Sequence, residues 1–184
     1  MSRLKPTEYR PSNADAGSEF ETTSFQEAVE SCRGSALRLL GLREHSVAEL
    51  QRKLAARKYS RGVRDRVVAD LGSAGLLNDL AFARAYCEYR ANGGRPVGRR
   101  RVFMELRKRG VAADTIEEAL AETWDEDDGE SELARAVVAA QSKWRLVKGR
   151  GDAFKAKGKV YRFLATRGFS SDICRAVLET LEEE

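Results

Sequence analysis

The sequence predicts an all-α protein of tandem three-helix repeats, three units with about nine helices, and three observations lead there. Helix breakers are scarce: of three prolines, Pro6 and Pro11 lie near the start and Pro96 is the one later residue able to interrupt a helix. Charged residues make up 34% of the 184 and mean hydropathy is −0.52, so apolar side chains must gather on the narrow stripes of slender helices. The third observation is an internal repeat. Setting Leu50, Val102 and Val160 in register aligns Leu54, Leu106 and Leu164 at four residues on, Arg57, Arg109 and Arg167 at seven, and Tyr59, Val111 and Phe169 at nine. In the next helix Val63, Ile116 and Ile173 fall at thirteen or fourteen, and Val68, Leu120 and Leu178 at eighteen. Any amphipathic helix offers a Leu-x-x-x-Leu match, but few would also agree on the arginine, the loop residue and the next helix.

Residues 1–23 are polar, carry two prolines and show no apolar period, so they read as a disordered tail. Helices are then predicted at 24–43, 46–58 and 61–74 in a first repeat over 24–76, and at 78–92, 98–109 and 114–124 in a second over 77–126. A third repeat over 127–184 holds helices at 130–147, 154–167 and 171–182. Each repeat opens on an amphipathic helix, marked by Ala36-Leu37-Leu39-Leu40, Phe82-Ala83-Tyr86 and Leu133-Ala136-Val137. Ser24-x-x-Glu27, Ser46-x-x-Glu49 and Asp114-x-x-Glu117 have capping-box spacing, and Asn78-Asp79, Ser131 and Ser170-Ser171-Asp172 offer further caps. A three-helix unit buries little alone, so the units are expected to stack into an elongated, curved array.

The net charge is only +4, but the charges are segregated. Arg95, Arg99, Arg100, Arg101, Arg107, Lys108 and Arg109 face one acid, Glu105, between residues 95 and 110. Residues 111–134 then hold ten acids and no base, including Asp125-Glu126-Asp127-Asp128. From Lys143 to Arg167 the chain is basic again, with Lys155, Lys157, Lys159 and Arg162 around a single acid, Asp152. Solvated helix faces account for any one run taken singly; together the runs make a bipolar surface that can face a phosphate backbone and a basic or amide-rich protein partner at once.

The inventory for catalysis is thin. His45 is the only histidine, and before Ser46 it reads as a solvated turn residue or helix-end partner ahead of a general base. Cys32, Cys87 and Cys174 form no CxxC pair and read as small core residues in a reducing compartment. Gly93-Gly94-Arg95-Pro96-Val97-Gly98 and Gly149-Arg150-Gly151-Asp152 lack the strand and the Gly-Lys-Ser/Thr of a phosphate-binding loop. Trp144 and Tyr161 could stack on bases but fit core positions better. No apolar run approaches the about 20 residues of a membrane span. The expectation is a cytoplasmic monomer without catalytic residues, cofactor or metal.

Leu76-Leu77-Asn78-Asp79-Leu80-Ala81-Phe82-Ala83-Arg84-Ala85-Tyr86, followed by Gly98-Arg99-Arg100-Arg101-Val102 and Glu105-Leu106-Arg107-Lys108-Arg109-Gly110-Val111, closely resembles the central motif of the RecX regulatory proteins. Ala36-Leu37-Arg38-Leu39-Leu40, Arg43-Glu44-His45-Ser46 and Arg57-Lys58-Tyr59 resemble the family's opening repeat, and Val160, Leu164, Arg167-Gly168-Phe169 and Asp172-Ile173 its third. Pro96-Val97 and the segment from Val147 to Asp152 depart from the common pattern. The resemblance implies a non-enzymatic protein that binds the RecA–DNA filament, in its groove or at its growing end, and lowers its ATPase, strand-exchange and coprotease activities. Free DNA would be bound weakly and without sequence preference. A helix-turn-helix DNA-binding regulator is the alternative, but a base-reading helix wants Asn, Gln and Arg along its exposed face, and residues 98–109 contain neither Asn nor Gln.

The candidate contacts to filament or DNA are Arg57, Arg95, Arg99, Arg100, Arg101, Arg107, Lys108, Arg109, Lys155, Lys157, Lys159, Arg162 and Arg167. Three like charges in a helix's first turn oppose its dipole, each costing about 0.3–1 kcal/mol when exposed. The sequence therefore predicts that Arg99→Glu/Arg100→Glu/Arg101→Glu abolishes filament regulation while thermal stability holds or rises.

Overall fold

A computed structural model describes residues 13–124, 129–148 and 152–181, and among them are nine helices and no strand. They are α1 (Asn13–Leu40), α2 (Val47–Ala56), α3 (Arg61–Ser73), α4 (Asp79–Ala91), α5 (Arg99–Arg109), α6 (Ala113–Thr123), α7 (Gly129–Val147), α8 (Ala153–Thr166) and α9 (Ser171–Thr180). None of the described helices is long and apolar enough to cross a membrane. Helix α1 starts eleven residues before the predicted start at 24, because after Pro11 the sequence holds no proline to stop a helix until Pro96. The rest of the expected tail, residues 1–12, the acidic run Asp125–Asp128 and the loop residues Gly149–Gly151 lie outside the described residues.

Caps explain most helix starts, though not all the predicted ones. Asn78 accepts from the N–H groups of Leu80 and Ala81, and Ser170 from that of Ile173. Ser24 falls inside α1, so its capping box is not used. Asp114 sits one residue inside α6, behind Ala112 at the cap, and accepts from Thr115 instead. Ser131 likewise lies within α7. Ser60 and Asp152, not among the caps read in the sequence, cap α3 and α8.

The helices divide into two compact units. The first comprises residues up to Arg43 together with Leu50–Leu76. In it Val29, Cys32, Ala36 and Leu39 of α1 are buried, as are Leu50 and Leu54 of α2 and Val63, Val67 and Leu71 of α3. Arg33 pairs with Asp70 at 2.7 Å, and the Tyr59 hydroxyl lies 2.9 Å from that of Ser35.

The second unit comprises Glu44–Glu49 and the chain from Leu77 onward. One of its cores gathers Phe82, Ala83, Cys87, Val97, Val102, Leu106, Val111, Ile116, Ala119, Leu120 and Trp124. The other gathers Ala136, Ala139, Ala140, Val147, Ala156, Val160, Leu164, Phe169, Cys174, Val177 and Leu181. All three reference positions and all three leucines four residues on are fully buried, each contributing about 1.5–3 kcal/mol against exposure. The cysteines are free and buried; burial pushes their thiols up, that of Cys87 to about 11, which suits core residues rather than nucleophiles. Trp144 and Tyr161 pack against the second core.

Within this unit one joint is built twice. The Ser46 hydroxyl donates to the Arg109 carbonyl at 2.7 Å, and the Gly98 N–H donates to the Arg167 carbonyl at 3.0 Å; the four residues occupy matching positions of the repeat. One residue on, the Val47 N–H donates to Asp79 and the Arg99 N–H to Glu132, so an acid near the start of the next repeat caps the helix. Each arginine then reaches back, Arg109 to Glu49 and Arg167 to the Pro96 carbonyl. The residue after it is left-handed, with φ 93° at Gly110 and 87° at Gly168, while Lys58 adopts φ 68° at the matching place in the first repeat. His45 is 3% exposed, which excludes the solvated turn and leaves the helix-end position, since it precedes this joint as does buried Val97 in the second repeat.

At Gly98 the backbone angles are ordinary and space is what demands glycine: a Cβ there would lie 2.3 Å from the Gly168 carbonyl oxygen. Backbone must move to admit it. Gly98→Ala should therefore lower stability by about 2–3 kcal/mol, whereas Gly94→Ala, where a Cβ meets nothing within 4 Å, should change it little; denaturant unfolding of the two variants checks this.

Candidate functional site

Helix α5 turns Val102 and Leu106 inward and carries most of the candidate basic residues on its remaining surface. They do not act as one group. Arg99 is held by Glu117 at 2.9 Å and by the Trp124 carbonyl at 3.2 Å, and Arg101 by Glu105 at 2.9 Å and the Thr166 carbonyl at 3.0 Å. With Glu132 on the first N–H, two of the three arginines of the unfavourable triplet, Arg99 and Arg101, are compensated inside the fold, and Arg100 is left outward. Arg109 pairs with Glu49 and stacks over Tyr86 at 4.8 Å. Arg167 stacks over Phe163 at 4.5 Å. Arg57, in the first unit, donates to the Ser35 carbonyl at 3.2 Å.

What remains outward is a single stripe. Arg100, Met104, Arg107 and Lys108 follow at four, three and one residues, which places them along one side of α5. Among the described residues Arg100 and Lys108, both exposed, find no hydrogen-bond or ion-pair partner, and Arg107 donates to the Val111 carbonyl. Met104 stands between them at 60% exposure. The stripe forms one wall of an open groove of about 720 Å³, whose other wall is Ala165, Thr166 and Gly168. Sequence reasoning missed Met104. Its signal was an apolar residue lying off the Val102-Phe103-Leu106 side and between basic neighbours.

Glu105 borders the groove, yet its charge is committed elsewhere. Burial pushes its carboxyl up, but hydrogen bonds from Tyr86 and Arg101 and the charges of Arg90 and Arg101 outweigh this and hold it below the usual carboxylate range. Around Arg167, burial and then the charges of Arg101, Arg95 and Arg90 lower the guanidinium's affinity for its proton, a mark of how positive this region is. Arg95 is exposed on the preceding loop. On α8, Lys155, Lys159 and Arg162 share one side with Thr166 at helical spacing and so lead to the groove, while half-buried Lys157 lies off that side. Among the described residues no three His, Cys, Asp or Glu side chains converge as metal ligands.

Family models for the RecX first, second and third three-helix domains match residues 32–71, 78–120 and 130–178. The protein named Regulatory protein RecX in Chlorobium phaeobacteroides is 36% identical over 146 residues, 79% of this chain and 90% of its own length. That of Mycobacterium marinum is 35% identical over 165 residues, 89% and 92% of the two chains. The chain belongs to the RecX family. The resemblance read in the sequence is thereby borne out, and so is its fold of three-helix domains. The crystal structure of RecX from Lactobacillus salivarius, at 20% identity, superposes with a TM-score of 0.75 over 86% of this chain and 99% of that one. A second structure, of regulatory protein RecX, gives 0.79 at 18% identity over 96% and 81%. In RecX terms, the α5 wall of the groove belongs to the second three-helix domain and the Ala165–Gly168 wall to the third.

The geometry corrects the stability expected of the triple substitution. Arg99→Glu would lose the Trp124 and Glu117 contacts and set a carboxylate beside Glu117 and Glu132, lowering stability by about 1–2 kcal/mol. Arg100→Glu breaks no contact and should leave it within about 0.5 kcal/mol. Thermal unfolding of the two single variants separates the structural arginine from the outward one.

Proposed function

We propose that this RecX-family chain is a non-enzymatic negative regulator that binds the RecA–DNA filament, lowers its ATPase, strand-exchange and coprotease activities, and so modulates recombination and the SOS response. The observation that carries the reading is the α5 stripe: a family scaffold whose named members are regulators presents here cations that none of the described acids pairs with. Leaving charge exposed and uncommitted contributes nothing to folding, while it raises the rate and specificity of meeting an anionic surface. Arg95, Arg100, Arg107, Lys108, Lys155, Lys159 and Arg162 make the contact. Arg57, Arg99, Arg101, Arg109, Lys157 and Arg167 serve the fold that holds them.

The protein works in the cytoplasm as a monomer, needs no cofactor or metal, and touches DNA weakly and without reading bases. The helix-turn-helix alternative is disfavoured by what α5 exposes, arginine, lysine and methionine with no amide side chain to read an adenine. Neither glycine-bearing stretch of the sequence has the Gly-Lys-Ser/Thr of a nucleotide cradle, so an effect on ATP hydrolysis is exerted on the partner.

Added to RecA on single-stranded DNA, the purified protein should slow ATP hydrolysis while hydrolysing none alone. Arg100→Glu/Lys108→Glu should fold normally and inhibit at least tenfold less well. An unchanged RecA rate at saturating wild-type protein would remove the reading.

A further inference from the structure

The α5 groove combines features that a plain phosphate track does not need. Its length is set by helix rise: eight residues separate Arg100 from Lys108, about 12 Å along the axis, with Met104 midway. The far wall, Ala165, Thr166 and Gly168, is uncharged. The one acid on the rim, Glu105, is engaged by Tyr86, Arg90 and Arg101, so nothing inside repels an incoming carboxylate. Cations that pair with none of the described residues therefore sit at both ends, and an exposed thioether faces a small-residue wall in the middle.

We propose that the occupant of this groove is a protein segment with an apolar anchor flanked by acids, rather than a nucleic-acid backbone. This rests on the regulator reading above and names the chemistry of its contact. A phosphate gains nothing from Met104, whereas an aliphatic or aromatic side chain seated between the flexible thioether and the Ala165–Gly168 wall removes apolar surface of both from water. The spacing gives a pattern. In an extended segment alternate side chains share a face at about 6.6 Å per pair of residues, so an anchor on Met104 brings the residues two before and two after it near Arg100 and Lys108. The recognised pattern is acid-x-apolar-x-acid, with charge-assisted hydrogen bonds at each end.

The full-length protein can be tested with a fluorescein-labelled peptide containing Glu-Ser-Leu-Ser-Glu, a second with Gly in place of Leu, and a labelled 20-residue oligo-dT. The expected result is anisotropy-detected binding of the first peptide, at least fivefold weaker binding of the Gly peptide, and at least fivefold loss for Met104→Asp with Met104→Leu restoring it. Met104 is mostly exposed, so unfolding of Met104→Asp should match wild type and make its loss a loss of recognition. Equal affinity for the two peptides, no binding up to millimolar peptide, or insensitivity to Met104→Asp would overturn the proposal. So would oligo-dT displacing the peptide while losing affinity itself on Met104→Asp, which would make the groove a nucleic-acid site. The regulator reading fails separately: peptide binding that obeys every expectation in a protein without effect on RecA would retain the groove's chemistry and reject RecA as its owner.

Discussion

The contact of Gly98 with the Arg167–Gly168 turn decides how the rest of the second unit is used. It is main chain on main chain, with an N–H···O bond of 3.0 Å and no room for a Cβ. Fixing the start of α5 there places Arg99 between Glu117 and Glu132 and Arg101 against Thr166. Each of these arginines is consumed by the joint it helps to hold. Helical geometry then leaves Arg100 pointing the other way, with Met104 and Lys108 after it. The same constraint that welds the turn to the helix thus creates the groove beside it.

The fold was legible in the sequence because its repeat is carried by residues that cannot be exchanged cheaply. Leu50, Val102 and Val160 are fully buried, and a buried aliphatic replaced by a small residue costs about 2–5 kcal/mol, so the spacing persists. Capping was less legible. Ser24 and Asp114 have the right neighbours, yet α1 extends through one and α6 begins before the other. A cap is worth about 1 kcal/mol, which the packing of a whole helix overrides. Ser46 shows why local pattern misleads even when it holds: it accepts from the Glu49 N–H as a cap should, but Glu49 spends its carboxylate on Arg109, sixty residues away.

The charged face was legible only in outline. Sequence shows that arginines cluster at 99–101 and 107–109, but which are free depends on acids brought by other helices, Glu117 from α6 and Glu132 from α7. For His45 the sequence left a solvated turn and a helix-end position open, and only its burial in the fold separates them. Met104 was hidden by the opposite effect: a lone exposed apolar residue is ordinary on any protein surface, and only the Ala165–Gly168 wall across from it makes it a site.

The third repeat shows what the joint costs in sequence freedom. Five residues before the reference position the first two repeats place His45 and Val97, both buried, and the third places exposed Lys155. Its helix α8 takes its cap from Asp152 in its own preceding loop, where α2 and α5 take an acid from the following repeat. Burying an unpaired ammonium costs several kcal/mol, so Lys155 marks a surface shaped for water or for an anion instead of a neighbouring helix. Lys159 and Arg162 continue that side of α8 to Thr166 at the groove. Where the first two repeats must carry packing, the third is free to carry charge, and the basic stripe that leads to the α5 groove starts at the position so released.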